Sequence, residues 1–274
     1  MELVVSATYA ASEEATNVAS SLKRVKFHPG QKLDVALSDQ FWKHPLTPEH
    51  YHNSVSKSRL PEGEGIILGE VADPHFGMIV DLGVGTGREL GWIKDLPNIE
   101  KVVGVDYAPD MLRKCIRVWR NYPKKLILLD EDFTEPDIMK DALCEEKRRA
   151  YFVGLDNTFG HLKKEERGHA INSVSGLMRK HDRLALHLLK HNENPRVPGA
   201  AEAYLPVVEA IAKRRASVEY DLESRALGIF VGGKRLVSFH GWAFDDIVNL
   251  EKGAGLKRVE LAEMENSFVV VWEK

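Results

Sequence analysis

The chain is short of cysteine, of excess charge and of long apolar runs, and each shortage removes a class of protein. Cys115 and Cys144 are the only cysteines in 274 residues, and neither has a Cys-x-x-Cys partner. That usage offers no disulfide framework and no structural zinc site, and it suits reduced thiols in a cytoplasmic protein. No apolar stretch approaches the roughly 20 residues of a membrane-spanning helix. The start, Met-Glu-Leu-Val-Val-Ser, lacks the basic opening and apolar centre of a secretory signal, so no signal peptide is expected. Net charge is −3 without a marked basic block, which gives no strong nucleic-acid signal. There is no internal repeat and no low-complexity tract.

What remains is an ordinary globular composition, 43% apolar and 29% charged, in a chain long enough for one large α/β domain with additions or for two small domains. Residues 1 to about 75 show no strand alternation. Their small-residue stretch Ala7 to Ser21 has helical character, and Pro29, Pro45, Pro48 and Pro61 follow among aromatics. From Met78 the pattern changes. Short β-rich apolar runs at 78–82, 101–105, 125–129, 151–155 and 184–190 alternate with helical candidates at 87–95, 109–120, 134–147 and 163–180. Repeated βα units predict a doubly wound parallel sheet with right-handed crossovers. Beyond it, Pro198 to Arg215 reads as a helix. Ser217–Leu222 and Ala226–Ser238 read as an inserted antiparallel pair, the second run interrupted at Gly232-Gly233. A helix at 243–252 and strands at 256–262 and 267–273 close the chain.

The most informative segment is Met78 to Leu90, Met-Ile-Val-Asp-Leu-Gly-Val-Gly-Thr-Gly-Arg-Glu-Leu, and nineteen residues past Gly87 stands Asp106, ending Val-Val-Gly-Val-Asp. Gly83, Gly85 and Gly87 let the backbone turn tightly and approach a ligand closely. A carboxylate at the end of the next strand is placed to accept hydrogen bonds from ribose hydroxyls. The spacing departs from the dinucleotide fingerprint Gly-x-Gly-x-x-Gly, and Asp81 stands two residues before the first glycine. A carboxylate there repels a pyrophosphate and welcomes a cationic amino-acid end, which disfavours an NAD-dependent oxidoreductase.

These residues resemble the first two motifs of class I S-adenosylmethionine-dependent methyltransferases, with Asp81, Gly83, Gly85 and Gly87 in the first and Asp106, Tyr107 and Met111 in and after the second. The resemblance extends more weakly over residues 50 to 274. It implies a Rossmann-like seven-stranded sheet whose last strand is antiparallel, here with an N-terminal helical extension and an inserted β-hairpin. It also implies S-adenosyl-L-methionine as cofactor. Asp132 and Phe133, with Asp130 competing, match the family's adenine-binding loop. The run Gly154-Leu-Asp-Asn-Thr-Phe-Gly-His-Leu162 is similar to a loop of glycine N-methyltransferase and related small-amine enzymes. On that likeness Leu155 and His161 border the cofactor and Asn157 orients the acceptor. Asp156 replaces a glycine of the pattern and can hold a cationic amine.

The expected activity is therefore methylation of a small molecule, by preference an amine or amino acid. A protein or RNA methyltransferase is the alternative, and a non-catalytic binding protein a further one. The short basic clusters at Lys213 to Arg215 and Lys147 to Arg149 are too small to favour RNA. Methyl transfer from a sulfonium needs positioning more than acid–base chemistry, so no single indispensable base is expected; Asp156, His161 and Tyr51 are the candidates. His44, His50 and His52 lack the converging ligands of a metal site, and none is expected. His187 and His191 end the fifth strand and read as core or surface histidines. The organisation that follows is an extension or lid over 1–75, or equally an irregular arm packed on the sheet's back, then a cofactor-binding core over 76–195, a helix and hairpin insertion over 196–240, and completion of the core over 241–274. Self-association is compatible with this plan. Replacing Asp106 by Ala should weaken S-adenosylhomocysteine binding by about 1.5–3 kcal/mol, the worth of hydrogen bonds to a charged group. Calorimetric titration measures it, and unchanged affinity would remove Asp106 from the ribose.

Overall fold

β-rich runs separated by turn chemistry leave the chain one economical way to bury its apolar surface, a parallel sheet covered on both faces. A computed structural model describes residues 4–5, 40–54, 62–135, 137–144, 147–190, 199–221 and 226–274. The helix expected at Ala7 to Ser21, Pro29, Pro61 and His191 lie outside the described residues. The strands are β1 (Val4–Val5), β2 (Phe76–Leu82), β3 (Lys101–Asp106), β4 (Lys125–Asp130), β5 (Arg149–Gly154), β6 (Arg183–Leu189), β7 (Ala216–Asp221), β8 (Ala226–Val231), β9 (Lys234–His240), β10 (Lys257–Glu263) and β11 (Ser267–Glu273). The helices are α1 (Thr47–Ser54), α2 (Glu62–Val71), α3 (Leu90–Ile93), α4 (Pro109–Val118), α5 (Asp137–Cys144), α6 (Lys164–Leu177), α7 (Gly199–Ala212) and α8 (Phe244–Ala254), with a 3₁₀ turn at Thr158–His161. None is long and apolar enough to cross a membrane among the described residues.

The main sheet runs β1-β4-β3-β2-β5-β6-β11-β10. Strands β1 to β6 pair in parallel, and β11 inserts antiparallel between β6 and β10. This is the expected doubly wound sheet of seven strands with a two-residue strand added at one edge. Alternation along each strand splits the core in two. Met78, Val80, Leu82, Val103 and Val105 face α5, α6 and α8. Ile79 and Val102 face α2, α3 and α4 with Ile67, Leu90 and Leu112. Chain order reverses between β2 and β5: the crossovers through α3 and α4 run outward on one side, then β5 returns beside β2. The carboxyl ends of β2 and β5 thus open a crevice at the switch point, where ligands bind in open α/β sheets.

Two elements differ from the sequence reading. The helix expected over 87–95 shrinks to α3, because residues 84–90 form tight turns around the left-handed Gly85 and Gly87 before a helix can start. The expected antiparallel pair after α7 is a sheet of three, β7-β8-β9. Gly232 and Gly233 do not interrupt a strand but reverse it, with φ of 58° and 75°, the consecutive positive values of a two-residue hairpin turn. The small sheet packs with α7, α1 and the start of α4 into a third core of Phe41, Trp42, Tyr51, Met111, Tyr204, Val208, Ile229 and Phe239.

A Cβ at Gly233 would meet nothing within 4 Å, so any cost of substitution there is conformational. Gly233→Val should destabilise the protein by about 1–2 kcal/mol, while Gly233→Asn should cost a few tenths. Urea unfolding of both variants checks this, and equal losses would refute the turn assignment.

Candidate active site

A cavity of about 550 Å³ opens at the switch point. Its base is the turn after β2. Gly83 and Val84 both donate backbone N–H bonds to the Val105 carbonyl, at 2.8 and 3.0 Å, which straps the turn across β3. Gly83, Gly85 and Gly87 all have positive φ. A Cβ at Gly87 would strike Trp119, Cys115 and Leu90 at 2.6–2.8 Å, so that glycine serves close helix packing. At Gly85 the space is open toward the cavity, with Met111 and Tyr51 side-chain atoms 3.5 and 3.7 Å from a hypothetical Cβ.

Asp106 accepts the Gly85 N–H at 2.8 Å on Oδ2 and the Ala108 N–H at 2.9 Å on Oδ1. Each oxygen keeps lone-pair capacity for a further donor. Burial pushes its carboxyl up to about 6, with the two backbone donors opposing. Asp81 is almost fully buried and its Oδ2 has no partner, an exceptional state for a carboxylate. Burial, reinforced by the neighbouring Glu89, raises its proton affinity well above the ordinary range.

Beneath the turn lies a buried charge cluster. Arg88 Nη2 donates to both oxygens of Glu64, at 2.7 and 2.6 Å, and its Nε donates to Glu89 at 2.9 Å. Glu64 Oε1 also accepts the Asp156 backbone N–H at 2.7 Å, and His187 Nδ1 stands 3.4 Å from it. Arg88 Nη1 is 4.0 Å from Asp156 Oδ1. Burial opposes the charge on Glu64, but His187 and Arg88 outweigh it and hold the carboxyl below its usual value. For Glu89 and Asp156 burial dominates the attraction of Arg88, and both are raised. Three carboxyl groups, of Glu64, Glu89 and Asp156, thus surround one guanidinium, and the cavity floor is acidic.

The wall opposite the turn is aromatic. Tyr51 of α1 and Tyr204 of α7 donate their hydroxyls to Asp156 Oδ2, at 3.1 and 2.8 Å. Trp42 packs edge-to-face on Tyr51, Tyr204 and His161, with ring centroids 5.6, 5.9 and 5.2 Å away. His52, next to Tyr51, pairs with Thr86 Oγ1 at 3.2 Å, so α1 lies across the glycine turn. Burial lowers the His161 imidazole to about 4, leaving it neutral near pH 7.

Of the residues singled out from sequence, Tyr51, Asp81, Gly83, Gly85, Asp106, Tyr107, Met111, Asp132, Phe133, Leu155, Asp156 and His161 line this cavity; Asp130 does not. Gly87 stays outside it, and so does Asn157. Asn157 was expected to orient the acceptor, but its Oδ1 accepts the Leu189 N–H at 3.0 Å and its amide lies over Gly160, where a Cβ would overlap it. Asp156 and Asn157 have φ of 50° and 58°, so the aspartate stands at a left-handed position where a glycine fits naturally. Trp42, Arg88, Glu89 and Tyr204 also line the cavity, with Glu64 behind it, and sequence reasoning missed them. Only Arg88 carried a signal, its place directly after the third glycine. No group of three or more His, Cys, Asp or Glu gathers as metal ligands among the described residues.

No family model matches the chain, and no curated protein matches its sequence. Solved structures are similar in fold. An S-adenosylmethionine-dependent methyltransferase from Clostridium acetobutylicum is 13% identical with a TM-score of 0.57, over 82% of this chain and 96% of that one. The CcbJ methyltransferase from Streptomyces caelestis is 14% identical with a TM-score of 0.57, over 83% and 97%. Magnesium protoporphyrin IX methyltransferase from Synechocystis is 13% identical with a TM-score of 0.55, over 87% and 98%. The chain has the fold of the class I S-adenosylmethionine-dependent methyltransferases.

Replacing Asn157 by Ala removes the acceptor for the Leu189 N–H and leaves a side chain poorly suited to φ of 58°. The variant should lose about 1–3 kcal/mol of stability in urea. Full stability with reduced activity would return Asn157 to the acceptor.

Proposed function

We propose that the protein is a methyltransferase that uses S-adenosylmethionine to methylate a small molecule, by preference an amine or amino acid, releasing S-adenosylhomocysteine. The observation that carries this reading is the unpartnered, buried Asp81 Oδ2, on a residue that lines the same cavity as Gly85. A buried carboxylate oxygen without a donor fits an α-ammonium group, and a side chain at Gly85 would take up the room of an amino-acid end. Asp106 would hold the ribose, with Tyr107 and Met111 beside it. Asp132 and Phe133 would meet the adenine, and Leu155 and His161 would border the cofactor.

The cofactor supplies a methyl group already activated on a sulfonium. The chain's own task is to orient the acceptor, exclude water and handle one proton. Asp156 is suited to the last, because burial raises its affinity for a proton while Arg88 opposes. Tyr51 and Tyr204 fix its Oδ2, leaving Oδ1 toward the acceptor. Trp42 and the two tyrosines shield that end from solvent. In this reading residues 1–75 are an extension whose α1 covers the cleft, 76–195 and 241–274 form the core, and 196–240 is an insertion that supplies Tyr204. A cytoplasmic location accords with the sparse cysteines. The amine preference is supported by the likeness of residues 154–162 to the glycine N-methyltransferase loop and by the acidic floor.

A methyl-transfer screen across amines, amino acids, thiols and small acids, read as S-adenosylhomocysteine release, is expected to respond first to amines. Gly85→Val should abolish S-adenosylhomocysteine binding. Binding of NADH without any of S-adenosylhomocysteine by the unaltered protein would overturn the assignment.

A further inference from the structure

We propose that the acceptor end of the cavity is a receptor for an alkylated ammonium, a secondary or tertiary amine in its cationic form, seated among Trp42, Tyr51, Tyr204, His161 and the Asp156 carboxylate. The inference rests on the methyltransferase reading only for its biological meaning; the receptor itself stands on geometry.

Three aromatic rings converge there with their centroids 5.6–5.9 Å from one another. All three are buried and all three line the cavity. Aromatic faces attract cations through their quadrupole, most strongly when the cation is desolvated. Two tyrosine hydroxyls occupy one oxygen of Asp156, while Oδ1 accepts no hydrogen bond from a described residue and has Arg88 no closer than 4.0 Å. His161 closes the same end, its ring packed edge-to-face on Trp42 with centroids 5.2 Å apart.

Counting donors selects the ligand. The wall offers one open carboxylate oxygen, Asp156 Oδ1, and otherwise mainly rings. A primary ammonium brings three N–H donors, and burying one unpaired is costly. A secondary ammonium brings two and a tertiary one, and their alkyl groups meet the rings. A neutral ligand of the same shape would forgo both the cation–π attraction and the charge of the acidic floor. Tyr51 also abuts the space at Gly85, so this receptor adjoins the glycine turn.

The test uses the full chain and four small probes in calorimetric or ligand-observed NMR titrations: methylammonium, dimethylammonium, trimethylammonium and uncharged tert-butanol. S-adenosylhomocysteine is titrated separately. Dimethylammonium and trimethylammonium are expected to bind about tenfold tighter than methylammonium and than tert-butanol. Asp156→Asn should weaken trimethylammonium by about tenfold, whereas Tyr204→Phe, which keeps the ring, should cost about threefold or less. A flat series, tert-butanol equal to trimethylammonium, or indifference to Asp156→Asn overturns the receptor. If that occurs while S-adenosylhomocysteine binds, the methyltransferase reading survives without it. If the series holds while S-adenosylhomocysteine does not bind, the receptor survives and the cofactor reading falls.

Discussion

The site depends on one guanidinium. Arg88 leaves the glycine turn, donates to both carboxylate oxygens of Glu64 in α2, and pairs with Glu89 beside it. Glu64 in turn accepts the backbone N–H of Asp156 in the β5 loop. Three segments distant in sequence are thereby tied at the switch point of the sheet. Buried ion pairs contribute little net stability, but breaking one strands a charge at a cost of about 3–5 kcal/mol. The cluster is better understood as fixing geometry: it sets where the glycine turn stands relative to Asp156. It also leaves carboxyl groups in excess of the guanidinium.

Above this floor the chain builds a second layer from elements outside the parallel sheet. Trp42, Tyr51 of α1 and Tyr204 of α7 close over Asp156, and the three-stranded sheet supports them through Phe239 against Tyr204 and His161. The apolar rings and buried carboxylate reinforce each other. Lowering the local dielectric raises the energy of an unpaired charge, and a cation that enters relieves it. Phosphate-binding folds place bare N–H groups at the turn; here Asp81 gives the same turn the opposite polarity.

Much of the architecture was legible without coordinates. The β-rich runs from Met78 to Leu189 and the final two strands fall within a residue or two of the strands observed, because buried parallel strands have a compact apolar signature. The Asp81 to Gly87 turn and Asp106 announced their positions through residue type and spacing. Errors came where one cue had two meanings. Gly232-Gly233 read as an interruption within one strand, and the positive φ of both residues makes it a reversal between two. Asn157 sat in the right loop, but a left-handed backbone turned its amide to the Leu189 N–H instead of the cavity.

By itself the sequence determined the sheet, its helical covering and the character of the ligand turn, since all three follow from local periodicity, glycine placement and one adjacent carboxylate. It did not determine the aromatic end of the cavity. Glu64, Arg88, Asp156, Tyr204 and Trp42 span more than 160 positions, and their partnership has no local pattern to read. Only the crossing of β2 beside β5, with α1 and α7 folded over the crevice, brings the rings to the carboxylate. A ligand's charge is recognised by groups that converge in space, and convergence is a property of the tertiary fold.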